Sequence, residues 1–346
     1  SKLLEEQAHC MVPPTVNPAY DYEYFKTISK LDEENERTLK STIDVYRKLG
    51  AILTFDCTPF FENNVPRFGE ICSFSASGGA VYVNSVLGAR TNREAAQSAM
   101  CAAITGVTPE YGLLLEQNRA GDVLIQVEAD VDSEYDYELL GYITPKKMGQ
   151  AYHCPVFNGL SKQTTSEQLM DLGTQLNIHG IVPMFHVVGV TPEAADVHTA
   201  FLGRKDPPVV TITNEDLAQA RAEISAGTGK ADFCILGCPH LTINQVGSIA
   251  KMLDGQQLAG QLYIFTSTST KELAQRMGYL DIIHKAGGEI VINSCVDQPC
   301  WSHLYGMSGV TESPKCAYYT KRWNMTFTVK SIPACIQSVL KGEIVS

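Results

Sequence analysis

The sequence lacks several features that mark common classes of protein. No stretch approaches the roughly 18 apolar residues that a membrane-spanning helix needs, and the start SKLLEEQAHC lacks the pattern of a signal peptide. Basic residues are in deficit, with 27 Lys and Arg against 38 Asp and Glu and a net charge of −11. Phosphate backbones are held by clustered cations. We therefore expect a cytoplasmic protein that contacts neither nucleic acid nor a membrane.

Familiar catalytic motifs are also missing. The chain has no P-loop, no GxGxxG fingerprint and no Ser-His-Asp arrangement. It has no CxxC pair either, which disfavours thioredoxin-like redox chemistry and a zinc ribbon. What it does contain is eleven scattered cysteines in 346 residues. A chain of this length buries a core without disulfides, so we expect reduced cysteines, most of them small buried residues.

Helices and strands alternate almost throughout, which is typical of α/β architecture with parallel sheets. The pattern predicts helices at 33–49, 93–106, 165–176, 215–227, 243–253 and 271–287. It predicts strands at 51–57, 123–130, 181–190, 209–213, 233–237, 262–266 and 289–293. We divide the chain into an N-terminal α/β region (1–150), a middle segment (151–206) and a C-terminal α/β domain (207–346), with the Pro-containing stretch 203–208 as the linker.

Three cysteines, Cys57, Cys238 and Cys295, fall at the carboxyl ends of predicted strands. In parallel sheets, ligands bind outside those ends. Three converging thiolates suit zinc or an iron–sulfur centre, and a cluster with three protein ligands leaves one iron open as a Lewis acid. The alternative is that these are ordinary core cysteines. Cys57 is expected to come from another domain, and Cys300 is a possible substitute ligand.

The run NSVLGARTNR (84–93) indicates an anion pocket. It places polar side chains around a turn before a helix: Asn84, Ser85, Arg90 and Asn92. The guanidinium of Arg90 offers a planar fork of donors for a carboxylate or phosphate, and a helix N-terminus adds free N–H groups. An ordinary capped loop is the equally weighted alternative.

Other polar residues are weaker candidates. Ser267 and Thr268 lie between a strand and a helix, where they either bind an anion or simply cap the helix. His186 lies in an apolar strand and is expected to be a core histidine. His240 is close to the proposed metal site and is a candidate substrate contact, whereas Asp56 is an acid–base candidate by proximity alone.

Several blocks of the sequence resemble a known family. The blocks FDCTPFFENN, NSVLGARTNREA, FHVVGVTPEA, ILGCPHLTINQV and VINSC resemble, in order, those of the aconitase X family, and VPPTVNPAYD and VTESPKCAYY resemble its flanking blocks. The resemblance covers essentially the whole chain. It implies an aconitase-like large subunit, with several α/β domains and mostly parallel sheets around a central cleft, and a smaller swivelling β-rich subunit that closes over that cleft.

The same resemblance implies a function. Family members are hydro-lyases, and they dehydrate cis-3-hydroxy-L-proline in bacteria or mevalonate 5-phosphate in archaea; we expect the first substrate, with the second as the alternative. An iron–sulfur cluster or iron would be held by three cysteines that match Cys57, Cys238 and Cys295. The catalytic base, a serine, is expected on the small subunit, so no catalytic residue is assigned in this chain. Residues such as Arg90 would orient the acid group.

The sequence departs from the family pattern in places. The usual NPAGMD reads NPAYDYE from Asn17, and the usual GESSAVVFANS reads SASGGAVYVNS, which puts Ala76 where Glu is expected and Gly78 where Ser is expected. Members usually also have a further stretch before the VPPTVNP block. These changes leave two alternatives open: a non-catalytic relative that binds a ligand or partner, and a zinc enzyme that uses the same thiolates.

Overall fold

The computed structural model describes residues 8–225 and 227–345. The strands, in chain order, are β1 (Val123–Val127), β2 (Pro155–Asn158), β3 (His186–Val187), β4 (Val209–Ile212), β5 (Phe233–Leu241), β6 (Gln261–Thr266), β7 (Gly288–Val291), β8 (Ser308–Thr311) and β9 (Thr326–Val329). The α-helices are α1 (Tyr22–Phe25), α2 (Glu33–Lys48), α3 (Ser77–Ser85), α4 (Ala96–Thr105), α5 (Glu134–Met148), α6 (Ser166–His179), α7 (Val197–Ala200), α8 (Asn214–Ser225), α9 (Ile243–Leu253), α10 (Thr268–Arg276), α11 (Tyr279–Ala286), α12 (Pro314–Tyr319) and α13 (Ile332–Lys341). Short 3-10 helices lie at Pro59–Phe61, Gly112–Leu114, Glu116–Asn118, Ser302–Leu304 and Thr320–Trp323.

Two compact units make up the chain. Unit 1 comprises Ser1–Thr58 and Ile224–Ser346, and unit 2 comprises Pro59–Glu223. Unit 2 contains a four-stranded sheet in the order β3-β2-β1-β4, and unit 1 contains a five-stranded sheet in the order β7-β6-β5-β8-β9. All the strand pairs of these two sheets are parallel. The predicted α/β class with parallel sheets is thereby confirmed, whereas the division at residues 150 and 206 stays a prediction.

Unit 2 is centred on β1. Ile125 in that strand pairs with Phe157 of β2 on one side and with Val210 of β4 on the other. Helices α5 and α6 pack closely because α5 has a glycine at their contact: a Cβ added at Gly141 would lie 2.6 Å from the carbonyl oxygen of Leu172. Both helices begin with a capping box, in which the side chain of the N-cap residue and that of the third helical residue each bond to the other's backbone N–H.

Unit 1 is centred on β5. Residues 233–236 of this strand are fully buried, as expected for a parallel strand covered on both faces. Its successive residues alternate between an aliphatic core under α9, α11 and α13 and an aromatic core that contains Phe25 and Trp301. The pairing of β5 with β6 is interrupted after Leu236 and resumes at Leu241. That interruption is the feature that shapes the candidate site.

The predicted elements are confirmed in part. The helix after Asp32 is present, as is the helix that Thr242 caps. The predicted helix 271–287 is two helices, because Gly278 adopts a left-handed conformation between α10 and α11. The predicted strand 181–190 shrinks to β3, and the predicted helix from residue 93 begins only at Ala96. The strand at 209–212 pairs with β1 in unit 2 rather than with the strands that follow it, and β8 and β9 were not predicted.

The segment 51–57 is not a strand, contrary to the prediction. Among the described residues, it makes one isolated parallel bridge, between Ile52 and Thr15. A second bridge joins Ala19 to Ser294. The N-terminal segment therefore pairs with both stretches of chain that form unit 1, one bridge with each. Isolated bridges of this kind stand in place of a regular strand. No helix in the described part of the chain is both long and apolar enough to cross a membrane.

Candidate metal centre

Cys57, Cys238 and Cys295, called the three-cysteine site below, all belong to unit 1. Contacts thus group Cys57 with the other two cysteines in one compact unit, and the expectation that it comes from another domain stays a prediction. Its segment is held in unit 1 by the N-terminal residues: the N–H of Ile52 donates to the carbonyl oxygen of Pro14 at 2.9 Å, and the N–H of Asp56 donates to that of Val16 at 3.1 Å. Backbone pairing with a sequence-distant segment brings this cysteine into the unit.

Cys238 lies within β5, in the interruption of its pairing with β6, rather than just after a strand as predicted. The neighbouring Gly237 has φ +110°, and a Cβ there would lie 2.4 Å from the carbonyl oxygen of Phe265. The N–H groups of Gly237 and Cys238 both donate to one carboxylate oxygen of the buried Glu312, at 2.7 and 3.2 Å. Glycine and a buried acceptor thus allow the strand to bend at the cysteine.

Cys295 follows β7 by four residues. Its N–H donates to the carbonyl oxygen of Ala19 at 3.0 Å, so the N-terminal segment also positions this cysteine. Its Sγ accepts from the N–H of Asp297 at 3.4 Å. Hydrogen bonds therefore hold both the backbone N–H and the Sγ of Cys295.

The thiols of the three-cysteine site lie close enough for their charges to interact. Burial raises the pKa of Cys238; nearby Lys315 acts in the opposite direction, and the charges of Cys295 and Cys57 raise the pKa further. Burial also raises the pKa of Cys295; the hydrogen bond from Asp297 lowers it, and the charge of Cys57 raises it. Neutral thiols are favoured by these effects, and a bound cation reverses the preference because metals take the thiolate form.

A buried histidine–carboxylate pair adjoins the thiols. The Nδ1 of His240 lies 2.9 Å from Oδ1 of Asp56, its Nε2 lies 2.9 Å from the carbonyl oxygen of Ser294, and its backbone N–H donates to Sγ of Cys57 at 3.2 Å. Oδ1 of Asp56 also accepts from the N–H and hydroxyl of Thr58, at 2.9 and 3.0 Å. Its other oxygen, Oδ2, is buried with no hydrogen-bond partner within the described residues. Ligand atoms of Asp56, Cys57 and His240 all lie within 4.8 Å of one another.

The pair carries opposite charges. Burial lowers the pKa of His240, but the charge of Cys57 and the hydrogen bond and charge of Asp56 outweigh it, so the pKa is raised well above its ordinary value. Burial raises the pKa of Asp56, but the hydrogen bond and charge of His240 and the hydrogen bonds from Thr58 lower it below the ordinary value. A buried imidazolium and carboxylate therefore lie beside the three-cysteine site.

The remaining cysteines do not join the three-cysteine site. Six of the eleven are buried, which confirms that most are small core residues: Cys10, Cys154, Cys234, Cys300, Cys316 and Cys335. Cys300, the predicted substitute ligand, is fully buried in the aromatic core of unit 1, and burial raises its pKa. Cys72 and Cys101 belong to unit 2. The half-buried thiols of unit 1 are the three predicted as ligands.

The predicted anion loop belongs to unit 2, where its side chains bond to the loop itself and its neighbours. Asn84 and Ser85 are buried: Asn84 bonds to the backbone of Thr91, and the hydroxyl of Ser85 accepts from the N–H of Phe185 at 2.9 Å. Arg90 donates to the carbonyl oxygen of Leu114 at 3.1 Å and pairs with Glu116 at 2.9 Å. Asn92 bonds to the backbone of Tyr111 and Leu113. The substrate contacts predicted for these four residues stay predictions.

Ser267 and Thr268 begin helix α10 at the end of β6, in unit 1. The hydroxyl of Ser267 accepts from the N–H of Thr270 at 3.1 Å, which is the capping role foreseen as the alternative. Thr268 is exposed, and its hydroxyl lies 3.5 Å from the side-chain oxygen of Asn293. His186, in contrast, is buried in unit 2 and bonds through Nε2 to the carbonyl oxygen of Arg119, as predicted for a core histidine.

Two important residues were not predicted. Glu312 follows β8 directly and supplies the buried carboxylate behind Cys238; burial raises its pKa, although hydrogen bonds from Gly237 and other N–H groups oppose the rise. Ser294 accepts from His240 and, through its hydroxyl, from the N–H of Asp21 at 2.9 Å. A signal was available for each, because Glu312 directly follows β8 and Ser294 lies three residues after β7, positions at which polar residues commonly line ligand sites.

Comparison with known proteins gives a consistent answer. Models of the aconitase X first, second and third domains match residues 1–117, 121–222 and 231–341. The phosphomevalonate dehydratase large subunit of Thermococcus kodakarensis is 34% identical over 309 residues, 88% of this chain and 78% of that one. Its counterpart from Methanothermobacter thermautotrophicus is 36% identical over 310 residues, 89% of this chain and 75% of that one.

Two further relatives extend the comparison. The cis-3-hydroxy-L-proline dehydratase of Pseudomonas aeruginosa is 34% identical over 264 residues, 73% of this chain but only 45% of that protein. The crystal structure of Thermococcus kodakaraensis aconitase X, in its holo form, superposes with a TM-score of 0.85 at 31% identity, over 98% of this chain and 83% of that one. The sequence relatives are named dehydratases, and the solved structure is that of an aconitase X protein. This chain belongs to the aconitase X family.

Proposed function

We propose that this chain is the large subunit of an iron-dependent dehydratase, a hydro-lyase that removes water from a small hydroxy acid. The observation that carries the proposal is that Cys57, Cys238 and Cys295, distant in sequence, belong to one unit, and that the charge of Cys57 raises the pKa of both Cys238 and Cys295. The names of the relatives, which are dehydratases, support the reaction class. A cytoplasmic location stays a prediction.

The donor set fits an iron–sulfur cluster or iron. Thiolates are the ligands that such centres prefer, and these three are half-buried while most other cysteines are fully buried. The buried Oδ2 of Asp56, unpaired within the described residues, leaves an acceptor beside them. Iron bound by these thiolates would supply a Lewis acid for the leaving hydroxyl. The cluster type is left open.

The chain's own residues would bind and orient the substrate. The start of helix α10 offers the positive end of the helix dipole, which favours a carboxylate or phosphate. Ser267 and Thr268 lie at this start. We keep them as substrate-binding residues, together with the four residues of the anion loop, Asn84, Ser85, Arg90 and Asn92. His240 is buried with both ring nitrogens bonded, so the substrate contact predicted for it stays a prediction. Removal of the C–H proton is assigned to a base on a small partner subunit.

A small subunit is the proposed partner. The relatives that this chain matches over three-quarters or more of their length are named large subunits. The cis-3-hydroxy-L-proline dehydratases are longer, and the chain spans about half of their length. The names of these relatives therefore support a small subunit as the partner of this chain.

Two substrates follow from the relatives, and each has an observation in its favour. Similarity to the Pseudomonas aeruginosa enzyme supports cis-3-hydroxy-L-proline. Similarity to several archaeal large subunits supports mevalonate 5-phosphate. Both are hydroxy acids, so the proposed site chemistry is common to them. Turnover of the two compounds by the chain co-expressed with a small subunit decides between them.

Metal analysis tests the proposal most directly. The full chain, purified without oxygen, is expected to contain iron and sulfide and to lose both on Cys238→Ser. Cys335→Ser is the matched control, because Cys335 is also in unit 1 but fully buried in the aliphatic core. Zinc in place of iron would favour the zinc alternative. Iron that survives Cys238→Ser, or equal loss in both variants, would exclude the three-cysteine site as its holder. Iron without turnover of any hydroxy acid would favour the non-catalytic alternative.

A further inference from the structure

One imidazole ring joins the backbone segments that carry the three cysteines. Through Nδ1 the ring of His240 bonds to Asp56, and through Nε2 it bonds to the carbonyl oxygen of Ser294, each at 2.9 Å. Asp56 immediately precedes Cys57, and Ser294 immediately precedes Cys295. The remaining cysteine lies two residues before the histidine itself. Each ring contact therefore reaches the sequence neighbour of a different thiol.

The backbone of the same histidine adds a direct contact with sulfur. Its N–H donates to Sγ of Cys57 at 3.2 Å. This hydrogen bond orients a lone pair of the sulfur. His240 thus influences the three-cysteine site both through its ring and through its main chain.

The ring is poorly placed to be a ligand itself. A carbonyl oxygen can only accept a hydrogen bond, so Nε2 of His240 carries a proton toward Ser294. Nδ1 faces a carboxylate oxygen that already accepts from Thr58. The residue is 2% exposed. Breaking either contact would leave a buried polar group unpaired, at a cost of about 1–3 kcal/mol.

We propose that His240 is the positioning residue of the three-cysteine site. Its ring fixes the distance between the backbone next to Cys57 and the backbone next to Cys295, and it holds both to the interrupted part of β5. Outer residues of this kind commonly orient metal ligands. The inference rests on the proposed function in one respect, that the three thiols act together as ligands.

Cobalt(II) is the probe for this inference, because its thiolate charge-transfer absorption grows with the number of bound thiolates. The reduced full chain, freed of metal, is titrated with cobalt(II) without oxygen. The parent chain is expected to show a three-thiolate band that falls in Cys238→Ser. His240→Ala is expected to weaken cobalt(II) binding by roughly 10- to 100-fold, the usual effect of removing such a residue, and to lower the band at saturation.

Two graded variants keep the test decisive if His240→Ala unfolds. His240→Gln retains a donor near the position of Nε2 but loses the contact of Nδ1 with Asp56. His240→Asn retains a donor near the position of Nδ1 but loses the contact of Nε2 with the carbonyl oxygen of Ser294. Both are expected to give bands and affinities between those of the parent and the alanine variant. Circular dichroism establishes that each variant is folded before titration.

His303 provides a matched control. It also belongs to unit 1 and uses both ring nitrogens, Nδ1 with the hydroxyl of Ser29 at 2.6 Å and Nε2 with that of Tyr263 at 3.0 Å. His303→Ala is expected to lower thermal stability while leaving the cobalt(II) band unchanged. A purely structural role for His240 would give the same result as this control.

The outcomes separate the two proposals. If the parent chain gives the three-thiolate band and the folded His240 variants bind cobalt(II) with the parent's affinity and band, the positioning role is refuted and the proposed function stands. If the parent chain gives no such band, or if Cys238→Ser leaves it unchanged, both proposals are overturned together. A loss in Cys238→Ser and in the folded His240 variants, with His303→Ala unchanged, supports both.

Discussion

Replacing Gly237 by alanine should distort the backbone that carries Cys238. Gly237 has φ +110°, and an added Cβ would lie 2.4 Å from the carbonyl oxygen of Phe265 and 2.8 Å from its Cβ. Both contacts are with β6, which pairs with β5 on either side of this point. Because Phe265 is fully buried, its backbone has no space into which it can retreat. The strand that carries the cysteine must therefore move.

The cost has two parts. An L-residue held at this φ is destabilised by about 1–3 kcal/mol, and forcing extra volume into a packed interior costs typically about 1–3 kcal/mol. Together they predict a loss of roughly 2–6 kcal/mol in the free energy of unfolding. Gly255→Ala is the matched control in unit 1, because Gly255 has φ +68° and a Cβ there would meet nothing within 4 Å. Its expected loss is about 1–2 kcal/mol, from backbone conformation alone.

Urea unfolding followed by circular dichroism measures both losses, and cobalt(II) titration measures the effect on the thiols. Gly237→Ala is expected to lose more stability than Gly255→Ala and also to bind cobalt(II) more weakly, whereas the control binds normally. Equal losses of stability in the two variants, with unchanged cobalt(II) binding, would refute the reasoning. They would mean that the bend at Cys238 does not depend on the close approach of β5 to β6.

Two further predictions concern unit 2. Burial raises the pKa of Asp216, but hydrogen bonds from Lys147 and Thr213 outweigh it and the pKa is lowered. The stabilisation that ionised Asp216 gives the fold is therefore complete above the ordinary Asp pKa of about 3.9 and is lost as the pH falls through the lowered pKa. Asp216→Asn should reduce the free energy of unfolding by about 1–2 kcal/mol at pH 7 and by progressively less in acid. Urea unfolding measures the loss. A Cβ at Gly78 would lie 3.1 Å from Oγ1 of Thr174, so Gly78→Ser should destabilise the fold by about 1 kcal/mol. In a double-mutant cycle, Thr174→Ala should relieve part of that loss. Additive losses would show that the two side chains are not in steric conflict.

The parts of the fold that the sequence predicted well are those with strong local signals. Thr242 caps α9 and Asp32 caps α2, each at the predicted residue, because a cap is a property of a few adjacent residues. The apolar run before Cys238 was recognised as a strand for a similar reason. The break between α10 and α11 was missed because glycine is tolerated inside helices, and only its left-handed conformation at Gly278 reveals the break.

Features that depend on distant segments were predicted poorly. The segment 51–57 looks like a strand, yet its partner is a short N-terminal piece that supplies a single bridge at Thr15. Cys57 was consequently assigned to a different domain from Cys238, although contacts place both in unit 1. The strand at 209–212 was likewise joined to the wrong neighbours. Local composition identifies such elements but contains no information on which segment pairs with which.

The candidate site shows the same division between what is local and what is not. Cysteines at strand ends can be recognised in a sequence, whereas the contacts that orient them cannot, because His240, Ser294 and Glu312 act through partners far along the chain. The charge of Cys57 raises the pKa of both Cys238 and Cys295, so it is unfavourable to hold these sulfurs together as thiolates, and the protein must position them before a cation is available. Hydrogen bonds do so here: backbone N–H groups donate to Sγ of Cys57 at 3.2 Å and to Sγ of Cys295 at 3.4 Å, and the N–H of Cys238 donates to the carboxylate of Glu312. The site is therefore built largely by the protein, and metal binding should change its charge far more than its shape.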